Sequence, residues 1–226
     1  MLNSVVARVQ DLTPGQTESM YKIMETYYGN TTFNKFAADL REKRDVVLLT
    51  DEQGEIRGFT TLAVYIYDDC TQLLYSGDTI VEKEYWGRHD LSRIWVKNAM
   101  GYADGFDGTT YWFLLSKGYK TYKYLSTFFN EYYPRADTET PAQLQLIMDS
   151  FAGLRYGDNY SDGVWKAGDD YLKDEYDSTG EAASRDKNTA FFLSRNPGYM
   201  NGDELICLSE MSVKNLNKMG RRVLGR

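Results

Sequence analysis

Histidine and cysteine are nearly absent from this chain, which has one histidine, His89, and two cysteines, Cys70 and Cys207. A structural zinc site uses four Cys or His ligands, so these three residues are too few for one. Two cysteines also cannot form a disulfide framework, which favours a reducing compartment. A serine–histidine–aspartate triad would have to be built around His89. We therefore expect no metal cofactor and a cytoplasmic protein.

Long apolar runs are also missing. No stretch approaches the ~18 consecutive apolar residues of a membrane span, and the N-terminus lacks the pattern of a signal peptide. The P-loop and G-x-G-x-x-G motifs are absent. A formal net charge of -7 argues against general nucleic-acid binding. Because 42% of the 226 residues are hydrophobic, the chain can fill one core, and we expect a single domain over 1–226 with no membrane partner.

The first half of the chain alternates predicted strands and helices. A strand over 5–11 precedes a helix opened by a capping box at Thr13 and then a second short helix. A hairpin over 46–67 turns at Gly54, and a strand over 72–81 follows. The chain continues with a helix containing Leu91, a strand over 109–115, parallel to that over 72–81, and a helix ended before Pro134.

The second half is less regular and more acidic. Thr140 predicts another capping box, which opens a helix whose inward stripe runs from Leu144 to Leu154. Residues 155–187 lack any period and are rich in Gly, Asp and Tyr, which indicates a long ordered loop or lid within an acidic insertion at about 136–188. Strands over 190–194 and 204–209 are predicted near the end, followed by a basic helix.

Basic side chains gather at two predicted junctions where a strand leads into a helix. Lys83, Arg88, Arg93 and Lys97 surround the glycine turn at Gly87, and Lys117, Lys120 and Lys123 follow the strand over 109–115. Helix N-termini attract anions, so either junction could hold a phosphate. Ordinary solvated helix faces would explain the same pattern.

The order of these elements resembles the GNAT-type N-acyltransferase superfamily over residues 5–135 and, less closely, 189–210. YSGDTIV, residues 75–81, resembles the family's fourth strand, and EYWGRH, residues 84–89, lies on its pyrophosphate loop. That loop has Gln or Arg, two residues, Gly, one residue, then Gly or Ala. Gly87 matches its first glycine, whereas Glu84 and His89 depart from it and Asp90 adds a charge that opposes a pyrophosphate.

The resemblance implies a mixed, mostly antiparallel sheet with splayed fourth and fifth strands, flanked by helices. An acyl donor, either acyl-CoA or acyl-phosphopantetheine on an acyl-carrier protein, enters the splay in this family. The implied donor-binding residues are Ile80, Val81, Gly87, Arg88, His89, Asp90, Leu91, Lys117 and Lys120.

The resemblance also implies the catalytic groups. Asp78 stands where the family places a carboxylate base, although it could equally stabilise a bulge. Tyr122 stands near the family's tyrosine acid, although a packing role fits it as well. The expected reaction transfers an acyl group to a small amine, and the protein could be a homodimer. The alternatives are a non-catalytic ligand-binding or partner-binding protein of the same fold, or one recruited to other acyl-thioester chemistry.

Overall fold

A computed structural model describes residues 2–87, 90–168, 170–177, 179 and 185–225. The chain divides into two compact units, a first unit of residues 1–110 with 223–226 and a second unit of residues 111–222. The strands are β1 Asn3–Arg8, β2 Tyr28–Gly29, β3 Asp45–Thr50, β4 Ile56–Asp68, β5 Thr71–Ser76, β6 Thr79–Val81, β7 Thr109–Ser116, β8 Tyr160–Ser161, β9 Val164–Trp165, β10 Tyr171–Leu172 and β11 Glu204–Glu210. The helices are α1 Pro14–Tyr27, α2 Phe33–Arg41, α3 Asp90–Asp104, α4 Tyr119–Phe128, α5 Ala142–Tyr156, α6 Lys187–Arg195 and α7 Lys218–Leu224.

The first unit is built on an antiparallel sheet in the order β1-β3-β4-β5, with β6 pairing against the start of β4. Helices cover both of its faces. Phe36 of α2 meets Phe59 of β4, which lies opposite Leu48. Asp45, three residues from Leu48 and so on the other face, bonds to α3. Because both faces are covered, β3 is buried almost throughout, as the VVLL run predicts.

The predicted capping box and hairpin turn of the first unit are confirmed. Thr13 caps α1 in a reciprocal capping box with Gln16, and Gly54 adopts a φ of +83° at the hairpin turn. Thr109, the first residue of β7, donates its amide to the Cys70 carbonyl at 2.8 Å, so β5 and β7 begin side by side. The expected mixed α/β fold with mostly antiparallel strands is confirmed.

The second unit has its own antiparallel strands, in the order β7-β11-β9-β8. Its core is aromatic: the Tyr122 ring lies 5.9 Å from that of Phe192 on α6, and Phe113 meets Phe151 of α5 at 4.8 Å. The segment predicted as a loop or lid contains β8, β9 and β10 in its described part. Tyr156 stacks on Trp165 at 4.2 Å within that segment.

Several predictions in the second unit are wrong. Residues 190–194, predicted as a strand, belong to helix α6, because Asp186 caps the Thr189 amide and starts a helix there. Helix α5 begins after Pro141 without a side-chain cap, so Thr140 forms no capping box. Ile147 and Met148 of the predicted inward stripe are buried, but Leu154 is 87% exposed, and Ala152 is buried instead.

Helix α4 ends earlier than predicted, at Phe128, because tertiary hydrogen bonds take over the backbone that follows. The Asn130 amide donates to the Asn215 carbonyl, and the Tyr133 amide donates to Leu208. None of the described helices is both long and apolar enough to cross a bilayer.

Candidate functional site

The predicted strand over 72–81 is broken in the middle. β5 ends at Ser76 and β6 begins at Thr79, so Gly77 and Asp78 lie between them. The break is held in register by β4, since the Thr61 amide donates to the Asp78 carbonyl at 3.0 Å. The hydroxyls of Thr60 and Thr79 lie 2.7 Å apart beyond it. Asp78, the predicted base, therefore lies at a fixed interruption of the sheet, half-buried.

A buried lysine lies under this interruption. The side chain of Lys43 is fully buried, and its ammonium donates to Asp39 Oδ1 at 2.6 Å and lies 5.1 Å from the Tyr75 ring centroid. A Cβ on Gly77 would come within 2.7 Å of Lys43 Cε and 3.0 Å of Thr61 Oγ1. Glycine at 77 therefore leaves room for the lysine.

Lys43 was not among the residues predicted for the site. The Asp39–Lys43 spacing of four residues at the end of α2 is the signal that could have suggested an ion pair. Thr61 Oγ1 is also buried and has no hydrogen-bond partner among the described residues. Burying an unpaired hydroxyl is costly, and Thr61 adds a second buried polar side chain near Gly77 beside Lys43.

The turn after β6 is tied to α1. The Lys83 amide donates to the Tyr27 hydroxyl at 2.6 Å, and the Trp86 indole donates to the Val81 carbonyl at 2.8 Å. Gly87 then adopts a φ of +82°, a conformation that residues with a side chain rarely take. Glycine therefore stands at the position in the described part of this turn, residues 82–87, where the backbone has a positive φ.

Helix α3 begins at Asp90, directly after the turn. Leu91 and Ile80 are buried, whereas Val81 and Asp90 are half-buried. Arg88 and His89, both predicted to bind the donor, lie outside the described residues. The first unit thus brings together the strand break, the glycine turn and a helix start within fourteen residues, 78–91.

The helix is anchored to the sheet by a buried carboxylate. Asp45 accepts hydrogen bonds from Arg8 at 2.8 Å, Asn98 at 2.9 Å and Tyr102 at 2.7 Å. Burial and the neighbouring Asp45 carboxylate raise the pKa of the Tyr102 phenol. This network joins β1, β3 and α3, and so fixes the direction of the helix that follows the turn.

A groove of about 670 Å³ lies beside the turn in the first unit. Helix α1 contributes Lys22, Ile23 and Tyr27 to its wall, and the segment before Gly87 contributes Glu82 and Lys83, among other residues. Charges of both signs line it, and nothing in the sequence pattern had pointed to it.

The second unit gives Tyr122 a core position. Its side chain is fully buried and its hydroxyl donates to the Pro134 carbonyl at 2.9 Å. Burial raises the pKa of this phenol far above its ordinary value. A phenol that donates to a backbone carbonyl and is closed off from solvent cannot readily exchange a proton with a substrate, so we do not retain Tyr122 as the acid.

The lysines at the second junction have acidic neighbours. Lys117 Nζ lies 2.6 Å from Asp170 and 3.4 Å from Glu204, and Lys123 pairs with Asp186 at 3.0 Å. Lys120 is exposed on the first turn of α4. Two carboxylates compensate the charge of Lys117, a residue predicted to bind the donor. Those partners are 53 or more residues away in sequence, so no local pattern could show them.

Neither a reactive thiol at Cys207 nor a metal cluster is found among the described residues. Burial raises the pKa of the Cys207 thiol to about 12, so this cysteine is unreactive at neutral pH. The described residues contain no group of three or more His, Cys, Asp or Glu side chains arranged to hold a metal ion.

Comparisons with known proteins place N-acyltransferases among the structures that share features with this chain. No family model and no curated protein matches the sequence. A GNAT-family N-acetyltransferase from Escherichia coli, solved in complex with CoA, aligns at 16% identity and a TM-score of 0.40, covering 57% of this chain and 69% of its own. Glucosamine-6-phosphate N-acetyltransferase from Arabidopsis thaliana aligns at 16% identity and a TM-score of 0.35, covering 50% and 81%. An acyl-CoA N-acyltransferase from Pseudomonas aeruginosa aligns at 13% identity and a TM-score of 0.42, covering 57% and 88%.

All three neighbours are N-acyltransferases by name. Their TM-scores all lie below 0.5.

Proposed function

We propose that this protein is a GNAT-type N-acyltransferase that passes an acyl group from acyl-CoA to a small amine. The observation that carries the proposal is the connection from the strand break at Asp78, through Gly87 with its positive φ, into the start of α3. In the family that the sequence resembles, this connection is the pyrophosphate loop after the fourth strand. A helix start supplies backbone N–H groups and a favourable dipole for a phosphate.

The proposed chemistry is attack of an amine on the thioester carbonyl. The amine nitrogen forms the new bond to the carbonyl carbon, the carbon–sulfur bond breaks, and the amine proton must be removed. Asp78 is our candidate base, because it lies at the strand break rather than in the packed core. The acid that protonates the CoA thiolate is left unassigned, since Tyr122 is committed to Pro134.

Acyl-CoA is favoured over an acyl-carrier protein as the donor. A carrier protein with an acidic docking surface would need free basic side chains, and Lys117 and Lys123 are both paired with carboxylates. Asp90 at the helix start opposes a pyrophosphate, and Arg88 is the residue we expect to offset it. Action in the cytoplasm, where acyl-CoA is available, is part of the proposal.

Donor binding is tested by thermal shift with CoA and acetyl-CoA. A ligand at about 100 times its dissociation constant should stabilise the protein by about 2.7 kcal/mol. Arg88→Ala should weaken binding, and Asp90→Asn should strengthen it modestly, because the two changes alter the local charge in opposite directions. Both effects should shrink at high salt. Absence of any shift with either compound would overturn the proposal.

Transfer is tested by measuring release of the CoA thiol with a panel of small amines. Asp78→Asn should lower kcat by about 100-fold or more while leaving CoA binding intact, because the amide cannot accept the proton. A protein that binds CoA but transfers to no amine would instead support the second candidate, a non-catalytic binding protein. The departures at Glu84 and His89 from the family's loop are the observation that favours that candidate.

A further inference from the structure

Strand β1 ends the sheet of the first unit, and apolar side chains are exposed on both of its faces. It pairs only with β3 among the described strands, in a continuous register from Asn3 opposite Thr50 to Arg8 opposite Asp45. Val5 is 53% exposed and Val6 is 39% exposed. Neighbouring residues of a strand point to opposite faces, so an apolar side chain is partly exposed on each face of β1 at its centre.

The backbone groups on the open edge can be identified from the hydrogen bonds. The Val9 amide donates to the Arg44 carbonyl at 3.0 Å, toward β3. Since hydrogen-bonding directions alternate along a strand, the amides and carbonyls of Ser4, Val6 and Arg8 point away from β3. A second hydrogen bond gives the same result. The Thr61 amide on β4 donates to Asp78 and so points away from β3. Following the alternation from β4 through β3 to β1 again leaves Ser4, Val6 and Arg8 pointing away from β3.

This edge lacks proline, lysine and a bulge, three features that commonly prevent strands from associating. Edge strands are commonly protected by proline, lysine, a bulge or an inward-pointing charge. Residues 3–8 contain no proline and no lysine, and their pairing with β3 has no irregularity. The only charge, Arg8, is held against Asp45 at 2.8 Å.

We propose that β1 is a self-association surface, on which β1 of a second copy pairs antiparallel about a two-fold axis. In an antiparallel pair, hydrogen-bonded and non-hydrogen-bonded residue pairs alternate. A two-fold axis must therefore pass through a position where a residue lies opposite the same residue of the second copy. An axis at Val6 forms hydrogen-bonded pairs at all three outward residues, with Ser4 opposite Arg8 on either side. An axis at Val5 would place Ser4 opposite Val6. Arg8 would then lie opposite Leu2, which is outside the strand, so fewer hydrogen-bonded pairs would form.

The side chains agree with an axis at Val6. The two Val6 residues become direct neighbours, a β-branched pair of the kind that stabilises sheets, and Val5 lies opposite Ala7. No like charges face each other, because Arg8 lies opposite Ser4. Arg8 and Val6 share the face covered by α3, as the Arg8–Asp45–Tyr102 contacts show, so the two α3 helices lie on one side of the joined sheet.

The first test is the mass of the intact protein measured by sedimentation equilibrium from about 10 to about 500 µM, the range in which a small strand interface associates. The mass should rise with concentration from 26.0 kDa toward twice that value. Val6→Lys places two ammonium groups directly opposite each other and should weaken association by about tenfold or more. Val5→Lys, which faces Ala7, is the matched control and should change it by less than about threefold.

A monomer at every concentration, or equal effects of Val6→Lys and Val5→Lys, would overturn the proposal. A second measurement needs no variant. Hydrogen exchange at the Ser4, Val6 and Arg8 amides should be fast in dilute protein and slow in concentrated protein, whereas the Val5 and Ala7 amides should be protected in both. Fast exchange of all three outward amides in concentrated protein would also refute it. Neither test depends on acyl transfer.

Discussion

Tyr122 illustrates how one residue type supports two expectations that only three-dimensional structure can separate. A tyrosine just beyond the first turn of α4 suits both an acid and a core ring. Its complete burial and its hydrogen bond to Pro134 indicate that Tyr122 packs in the core. By contrast Asp78, also uncertain between two roles, lies at an interruption of the sheet, and its role as base stays a prediction.

Replacing Tyr122 by phenylalanine should therefore affect stability more than activity. Tyr122→Phe removes the hydrogen bond to Pro134 and should lower the free energy of unfolding by about 1 kcal/mol. Acyl transfer, once a substrate pair is found, should remain within about threefold of the wild type, in contrast to Asp78→Asn. Urea unfolding and initial rates measure the two effects. A loss of transfer as large as that of Asp78→Asn, with normal stability, would restore Tyr122 as the acid.

A methyl group at position 77 should disturb the strand break. Gly77→Ala would place Cβ 2.7 Å from Lys43 Cε, so the lysine or the break must shift. We expect a loss of about 1 to 3 kcal/mol in the free energy of unfolding. Gly101→Ala is the control: it lies on α3 with nothing within 4 Å of its Cβ, and alanine there should stabilise by about 0.5 to 1 kcal/mol. Equal effects of the two variants would show that position 77 is not crowded.

At the scale of secondary-structure elements, Asp45 does more than its place at the start of β3 suggests. Its carboxylate receives donors from β1 and α3, and only 3% of its side chain is exposed. Together with the apolar stripe that α3 buries, this carboxylate holds the helix against the sheet. A sequence pattern shows Asp45 only as a polar residue preceding an apolar run.

Removal of this carboxylate should be costly. Asp45→Ala leaves the half-buried donors of Asn98 and Tyr102 without their acceptor, and we expect a loss of about 2 to 4 kcal/mol. Glu18→Ala is a matched control, because Glu18 also pairs with a cation, Lys22, but both side chains are mostly exposed. Its cost should stay below about 0.5 kcal/mol. Similar midpoints of urea unfolding for the two variants would contradict a structural role for the network.

Elements defined by local chemistry were predicted, and those defined by distant partners were not. The capping box at Thr13 and the hairpin at Gly54 depend on neighbours in sequence, so they were recognised. The end of α4 depends on Asn215, and helix α6 was mistaken for a strand because its apolar run is too short to show a period. The candidate site follows the same rule: Gly87 could be predicted, whereas the partners of Lys117 could not.

At the scale of the whole molecule, many tyrosines are partly or wholly withdrawn from water. Burial raises the pKa of the phenols of Tyr102, Tyr111, Tyr122, Tyr132 and Tyr199 above the ordinary value of 10.0. In the unfolded chain these phenols ionise near pH 10, while in the folded chain they stay protonated to higher pH. The stability that they contribute is therefore complete below pH 10 and is lost as the pH rises above it.

The protein should accordingly unfold more easily in mild alkali. The urea midpoint should be nearly constant from pH 7 to 8, should begin to fall as the Cys207 thiol ionises in the unfolded chain, and should fall more steeply above about pH 10. Tyr122→Phe should make the fall shallower, because one buried phenol no longer titrates. The slope of the free energy of unfolding against pH should decrease by about 1.4 kcal/mol per pH unit. A midpoint that stays level to pH 11, or an unchanged slope in the variant, would disprove this account.

The burial of Lys43 has a consequence for chemical modification. An amine-reactive reagent reaches Lys22, whose side chain is 67% exposed, but it cannot reach a lysine whose side chain is fully buried while the strand break is closed. The time at which Lys43 acquires label, followed by mass spectrometry, thus reports how often this part of the sheet opens. The labelling rate of Lys43 therefore measures local unfolding near Gly77, and no substrate is needed for the measurement.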